Sequence, residues 1–188
     1  MSEALEEMYL FGEEKMEKAI GQMKREFASV CTGRANPAVL DKVLVEYYGV
    51  PTQLRQMSQV TVSEGTTLVI TPFDKSIIKE IEKALIKAEL GVAPNNDGTC
   101  IRLNFPPLTE ERRRETAKDV KKLGEDAKVA IRNVRRDMVD SLKKIEKEEN
   151  LPEDSVKDNQ DQIQKLTDKY VGIIDSLVSE KEKEVMTV

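Results

Sequence analysis

Residues 106–152 read PPLTEERRRETAKDVKKLGEDAKVAIRNVRRDMVDSLKKIEKEENLP, and the fold follows from how this stretch is bounded and patterned. Pro106-Pro107 marks a break. Thr109-Glu110-Glu111 then offers a hydroxyl cap and acids at the positive end of a helix dipole. Asn150-Leu151-Pro152 ends the pattern. Between these limits the sequence is helical to about residue 148, a rod of roughly 60 Å at ~1.5 Å per residue. On a wheel of ~100° per residue with Lys128 at zero, Val120, Leu123, Ala127, Ile131, Val134 and Met138 gather at roughly 220° to 300°. Arg114, Lys118, Lys121, Lys128, Arg132, Arg135 and Arg136 gather between about −20° and 80°. Glu115, Asp119, Asp126, Asp137 and Asp140 gather near roughly 120° to 180°. Folding requires only the apolar face.

Two more helices flank this one. In residues 5–30, Tyr9, Met16, Met23 and Val30 recur every seven positions, with Leu5, Ala19, Ile20 and Phe27 beside them. After Pro152, Val156, Ile163, Tyr170 and Leu177 repeat the spacing, joined by Leu166, Ile173 and Ile174. Each helix has one stripe to bury, and three such stripes close a three-helix bundle.

The segment between the first and second helix has a different texture. Asn36-Pro37 reads as a cap with proline at the first helical position. Val43–Tyr48, Leu54–Val62 and Thr67–Thr71 read as strands, with turns at Gly49-Val50-Pro51 and Ser63-Glu64-Gly65. Asp74 is placed to cap a helix carrying Ile77, Ile78, Ile81, Ala84, Leu85 and Ala88, which Gly91 ends. Asn96-Asp97-Gly98 is a turn before a last strand, Cys100–Phe105. The expected fold is therefore α+β. Residues 1–31 and 106–188 form a long bundle, and 32–105 a small mixed domain inserted between its first and second helices. Thr32-Gly33 and Phe105-Pro106 are two tethers side by side, expected to act as a hinge needed more for action than for binding.

Composition narrows the function. Charged residues make up 35% and aromatics 4%, which fits long solvated helices rather than a thick globule. No run is long and apolar enough to span a bilayer, and the acidic N-terminus is neither a secretory signal nor an Arg-rich transit peptide. A soluble protein is expected. Cys31 and Cys100 are far apart and read as reduced thiols. Histidine is absent, which removes the commonest general base and metal ligand. No metal or cofactor is expected, and the GxxxxGK[ST] loop of nucleotide hydrolases does not occur.

Net charge is −5, yet residues 106–152 carry 13 basic against 11 acidic groups. The basic face of that helix is either ordinary solvated surface or a phosphate-tracking stripe. Arginine suits the second reading, because its planar fork donates two parallel hydrogen bonds to a phosphate. Arg132, Arg135 and Arg136 cluster on about one turn, whereas Lys121 and Lys128 could be merely solubilising. Few aromatics interleave, so the contact expected is with the backbone and shape of a structured RNA.

Several stretches resemble the ribosome recycling factor family, in order and spacing. They are Thr32-Gly33-Arg34-Ala35-Asn36-Pro37, Val45-Glu46-Tyr47-Tyr48-Gly49, Pro94-Asn95-Asn96-Asp97-Gly98, Ile101-Arg102-Leu103, residues 106–113, residues 129–137 and residues 164–170. The resemblance implies an L-shaped, non-enzymatic, monomeric protein with the bundle as its long arm. It implies binding in the tRNA path of a post-termination ribosome, the bundle gripping large-subunit rRNA. Elongation factor G with GTP then drives the subunits apart, releasing mRNA and tRNA. The arginines matching Arg132 and Arg135 contact rRNA in the family, with Arg113 a weaker candidate; Arg136 and Lys128 join them from the wheel. Family members usually carry an arginine where this chain has Cys31, so Arg34 is the expected contact of that turn. The implied location is the bacterial cytoplasm, or an organelle matrix or stroma after removal of a transit peptide. The rival reading is a helical structural or chaperone-like module whose stripes pair with partner helices.

Overall fold

The computed structural model describes residues 2–30 and 32–187; Cys31 lies outside them. The chain divides into two compact units, Met1–Val30 with Arg114–Val188, and Cys31–Arg113.

The first unit is built on three helices. Helix α1 spans Glu3–Ala28, with the Ser2 hydroxyl accepting from Leu5 N at its start. Helix α4 spans Glu110–Glu149, and Thr109 Oγ1 accepts from Arg112 N at 3.2 Å, the cap expected there. Asn150, at φ 49°, turns the chain, and α5 runs from Glu153 to Met186. The stripes meet in one core containing Met16, Met23, Ile131, Leu142, Ile163 and Ile174, all nearly inaccessible. Burial follows the i, i+3/i+4 rows more closely than the seven-residue repeat, so Tyr9, Val30, Val156 and Leu177 are only half-buried. Two glycines let the helices approach. A Cβ at Gly12 in α1 would run into the Met138 side chain of α4, and one at Gly124 in α4 into Val178 Cγ2 of α5. Polar ties cross the core as well. The Tyr9 hydroxyl donates to Asn159 Oδ1 at 2.9 Å, and Asn159 Nδ2 donates to Ser155 O at 2.8 Å.

The second unit begins with a 3-10 turn, Pro37–Leu40, capped by Asn36 Oδ1, which accepts from Ala38 N. Strands β1 (Leu44–Tyr47) and β2 (Val50–Gln53) form a hairpin. A single helical turn, α2 (Leu54–Met57), leads to β3 (Ser58–Ser63) and β4 (Thr67–Pro72). Asp74 caps a 3-10 turn at Lys75–Ile77 that continues into α3, Ile78–Lys87. Strands β5 (Pro94–Asn96) and β6 (Ile101–Asn104) complete a four-stranded antiparallel sheet of order β3-β4-β6-β5. Its inner face, with Leu68, Ile70, Ile101 and Leu103, shares a core with Ile78, Ile81 and Leu85 of α3.

Three local expectations are corrected here. The turn read at Gly49-Val50-Pro51 is instead Tyr48-Gly49, both at positive φ (49° and 80°), the geometry of a two-residue hairpin turn. Val50–Gln53 is then a strand, where Pro51 is tolerated because the hairpin is only two strands wide. The strand read over Leu54–Val62 starts only at Ser58, since Leu54 and Met57 both turn inward at helical spacing. Strand β5 is an addition to the expected elements, because Pro94-Asn95-Asn96 has the composition of a loop.

The crossing between the units falls between Arg113 and Arg114, later than Pro106. Phe105 is buried in the core of the mixed unit and its N–H donates to Thr66 O at 2.8 Å. Gly33, at φ 79°, lies against the following turn of chain: a Cβ there would meet Leu108 N at 3.2 Å. Entry and exit of this unit are therefore adjacent.

Candidate nucleic-acid interface

The orientation of α4 is fixed on three sides. Val120, Ala127, Ile131, Val134, Met138 and Leu142 face the core. On one flank, Asp137 pairs with Lys15 of α1 at 3.9 Å. On the other, Lys128 pairs with Asp175 of α5, and Arg135 Nη1 donates to Gln164 Oε1 at 3.1 Å. The remaining side faces water, and it carries the basic residues.

The basic residues of α4 divide into three kinds. Arg132 and Arg136 are exposed and form no ion pair or side-chain hydrogen bond with the described residues. Lys128 is committed inward. Its side chain is 17% exposed, Asp175 and Glu125 both hold it, and the hydrogen bond to Asp175 is the main cause of its raised pKa. Arg135 is intermediate: half-buried, and steadied by Gln164, whose Nε2 in turn donates to Asp168 at 2.8 Å.

An open groove between α4 and α5, ≈ 380 Å³, is lined by Arg135, Arg136, Lys143, Gln160 and Gln164, with Asp140 among them. On the same wheel Lys143 falls at roughly 60°, among the arginines. The α5 amides were not legible in sequence, because only the packing register of α4 on α5 brings them there. Asp140 reads as part of the acidic face, yet it stands beside the arginines.

The other candidates belong to the mixed unit. Arg34 is exposed on the turn after Gly33. Arg113 is half-buried, with its Nε enclosed and without an acceptor. Of the hinge residues, Thr32 and Phe105 are buried and Pro106 is exposed. Among the described residues no helix is long and apolar enough to cross a membrane, and no cluster of three or more His, Cys, Asp or Glu could hold a metal.

The fold is a three-helix bundle with an inserted α+β unit, and one long helix of the bundle presents cations outward. Comparison with known proteins identifies it further. The model of the family described as "Ribosome recycling factor" matches residues 23–186. The chain is 57% identical over 176 residues to the ribosome-recycling factor of Caldicellulosiruptor saccharolyticus, covering 94% of this chain and 96% of that one. It is 57% identical over 175 residues to the ribosome-recycling factor of Bacillus subtilis, with 93% and 95% covered. A solution structure of the ribosome recycling factor aligns over 100% of both chains, with a TM-score of 0.84 and 39% identity. A Thermus thermophilus ribosome recycling factor, described together with Escherichia coli elongation factor G bound to the post-termination complex, aligns with a TM-score of 0.66 and 41% identity over 97% of this chain and 99% of that one. The chain belongs to the ribosome recycling factor family.

Proposed function

We propose that this chain binds the post-termination ribosome through the outward face of α4 and, with elongation factor G and GTP, promotes its dissociation into subunits with release of mRNA and tRNA. The observation that carries the proposal is the pair Arg132 and Arg136, exposed and unpaired on a helix whose other faces are engaged. An exposed guanidinium without a carboxylate is free to donate its fork to phosphate. Arg135, held by Gln164, is the pre-positioned member, and Lys143 extends the row. Arg34 and Arg113 are secondary contacts from the mixed unit, and Thr32-Gly33 with Pro106 supplies the hinge. The chain acts as a cytoplasmic monomer and is not itself an enzyme: GTP hydrolysis belongs to elongation factor G, and this sequence has no phosphate-cradling loop. The structural-module reading needs apolar stripes left over for partner helices, whereas the stripes here close on one another.

Light scattering of post-termination ribosomes provides the test. Addition of the chain with elongation factor G and GTP is expected to dissociate them, and sedimentation with ribosomes should weaken steeply as salt rises, as for any contact that releases counterions. Salt-independent binding would overturn the phosphate-tracking role, and GTP hydrolysis by the chain alone would overturn its non-enzymatic one.

A further inference from the structure

The first half of α1 is unlike the face just described. Leu10 and Phe11 are 68% and 60% exposed. With Met8 and Ile145 they line an open groove of ≈ 580 Å³ between α1 and α4. Neighbouring exposed apolar side chains around a concavity mark an interaction surface, whereas scattered ones do not. Two carboxylates, Glu7 and Glu14, stand in the same lining, which contains no Lys or Arg. Glu14 is paired with Lys18 at 2.7 Å, but Glu7 has no ion pair with the described residues. A second nearby cation, Lys15, lies over the Phe11 ring at 4.3 Å and reaches Asp137 at 3.9 Å. Residues 1–14 hold five carboxylates and no Lys or Arg.

This sign of charge decides the occupant. Phosphate is repelled here, so the groove is no extension of the arginine face. A second copy of this chain in a twofold contact would bring the same patch, with no Lys or Arg in residues 1–14 to meet Glu7. We infer that the groove docks a cationic amphipathic segment of another protein, an apolar side chain seated against Leu10 and Phe11 and a Lys or Arg reaching Glu7. Complementary charge at the rim of an apolar seat sets orientation and encounter rate, while the buried apolar anchor supplies most of the affinity.

The test uses the full chain and two synthetic helical peptides as probes. Both carry leucines at i, i+3, i+4 and i+7; one is Lys-rich elsewhere, the other Glu-rich. Fluorescence anisotropy should show saturable one-to-one binding of the Lys peptide. Leu10→Ser with Phe11→Ser should weaken it by about tenfold or more, as expected for loss of an anchor. Glu7→Lys should weaken it severalfold, and Arg132→Ala should leave it unchanged. Both altered surfaces are exposed, and circular dichroism confirms that the variants fold. Equal binding of both peptides would mean undirected stickiness and overturn the inference. So would unchanged binding to the Leu10/Phe11 variant, or a concentration-dependent dimer of the parent that the same variant abolishes.

Discussion

Arg132 and Lys128 are four residues apart on one helix face, and the planar fork of arginine already favours Arg132 as the phosphate contact. Their surroundings separate them. Replacing Arg132 by alanine removes an exposed cation that forms no ion pair or side-chain hydrogen bond with the described residues, so stability should change by no more than ~0.5 kcal/mol. A lost charged contact to phosphate is worth on the order of 1.5–3 kcal/mol, roughly a ten- to a hundred-fold loss of ribosome affinity. The slope of affinity against salt should become shallower by about one unit. Lys128→Ala should do the reverse: lower the melting temperature through loss of the Asp175 pair and leave affinity near that of the parent. Asp140, beside Arg136 and Lys143 in the groove, should tighten binding when replaced by alanine. Asp126, exposed farther round the helix at roughly 160°, should have no effect and serves as the control. A salt series of sedimentation measurements on the four variants checks the set. Equal affinities throughout would return the basic face to plain solvated surface.

A second residue-scale expectation concerns pH. Asp97 Oδ1 accepts from Thr99 N, Thr99 Oγ1 and Cys100 N at 2.9, 2.8 and 2.8 Å, and Oδ2 accepts from the Cys100 thiol at 3.2 Å. The backbone N–H of Cys100, then that of Thr99 and the two side-chain donors, hold this carboxyl far below the ordinary aspartate range. A depressed folded-state pKa stabilises above the unfolded value of ~3.9, and the contribution is lost as pH falls through the folded value. The melting temperature of Asp97→Ala should therefore lie furthest below the parent near neutral pH, with the gap narrowing below about pH 4. A gap constant from neutral pH down to about pH 2 would show that the carboxylate charge is not what holds the turn.

At the scale of elements, long helices were legible because their signals repeat. Thr109, Pro152 and three apolar stripes each state the same boundary or face several times over, and the helices appear within a few residues of their expected ends. The short elements were not, because two or three residues carry each decision. Val50-Pro51 reads as a turn until Tyr48-Gly49 takes the positive φ values first. For the candidate site, Arg132, Arg135 and Arg136 could be read from the wheel, whereas the pairing of Lys128 and the approach of Gln164 depend on which turn of α5 meets which turn of α4. The glycines at the crossings are equally silent in sequence, since Gly12 and Gly124 read only as weak helix residues. The structure gives them a sharper consequence. Replacing Gly124 by alanine gains up to ~1 kcal/mol of helix propensity but forces a methyl against Val178, whose branched side chain is stiff in a helix. Overpacking of this kind costs typically ~1–3 kcal/mol, so a net loss is expected. Gly12→Ala meets the flexible thioether of Met138, which can move aside. Urea midpoints should fall for Gly124→Ala and change little for Gly12→Ala; the opposite order would mean that Val178, not Met138, has room to rotate.

For the molecule as a whole, the two units hold separate cores. Met16, Ile131 and Ile174 belong to one, and Leu40, Ile70 and Leu103 to the other, with no residue shared. The mixed unit enters and leaves at adjacent points, Gly33 lying against Leu108. A domain inserted at adjacent points can be cut out without opening the host. Replacing residues 34–107 by a short Gly/Ser linker should therefore leave a folded three-helix bundle with α-helical circular dichroism and a cooperative melt. Arg132, Arg135, Arg136 and Lys143 all lie in that bundle. The shortened chain should still sediment with ribosomes, with a salt slope close to that of the parent and a modest loss of affinity from the missing Arg34. Subunit dissociation with elongation factor G and GTP should be lost, because the excision removes the hinge and the unit it carries while sparing the grip on RNA. Sedimentation and light scattering on the same preparation separate the two outcomes. Full dissociation activity from the bundle alone would make the mixed unit dispensable and the hinge incidental. Loss of binding together with activity, in a chain that still melts cooperatively, would move the main RNA contact out of α4 and into residues 34–107.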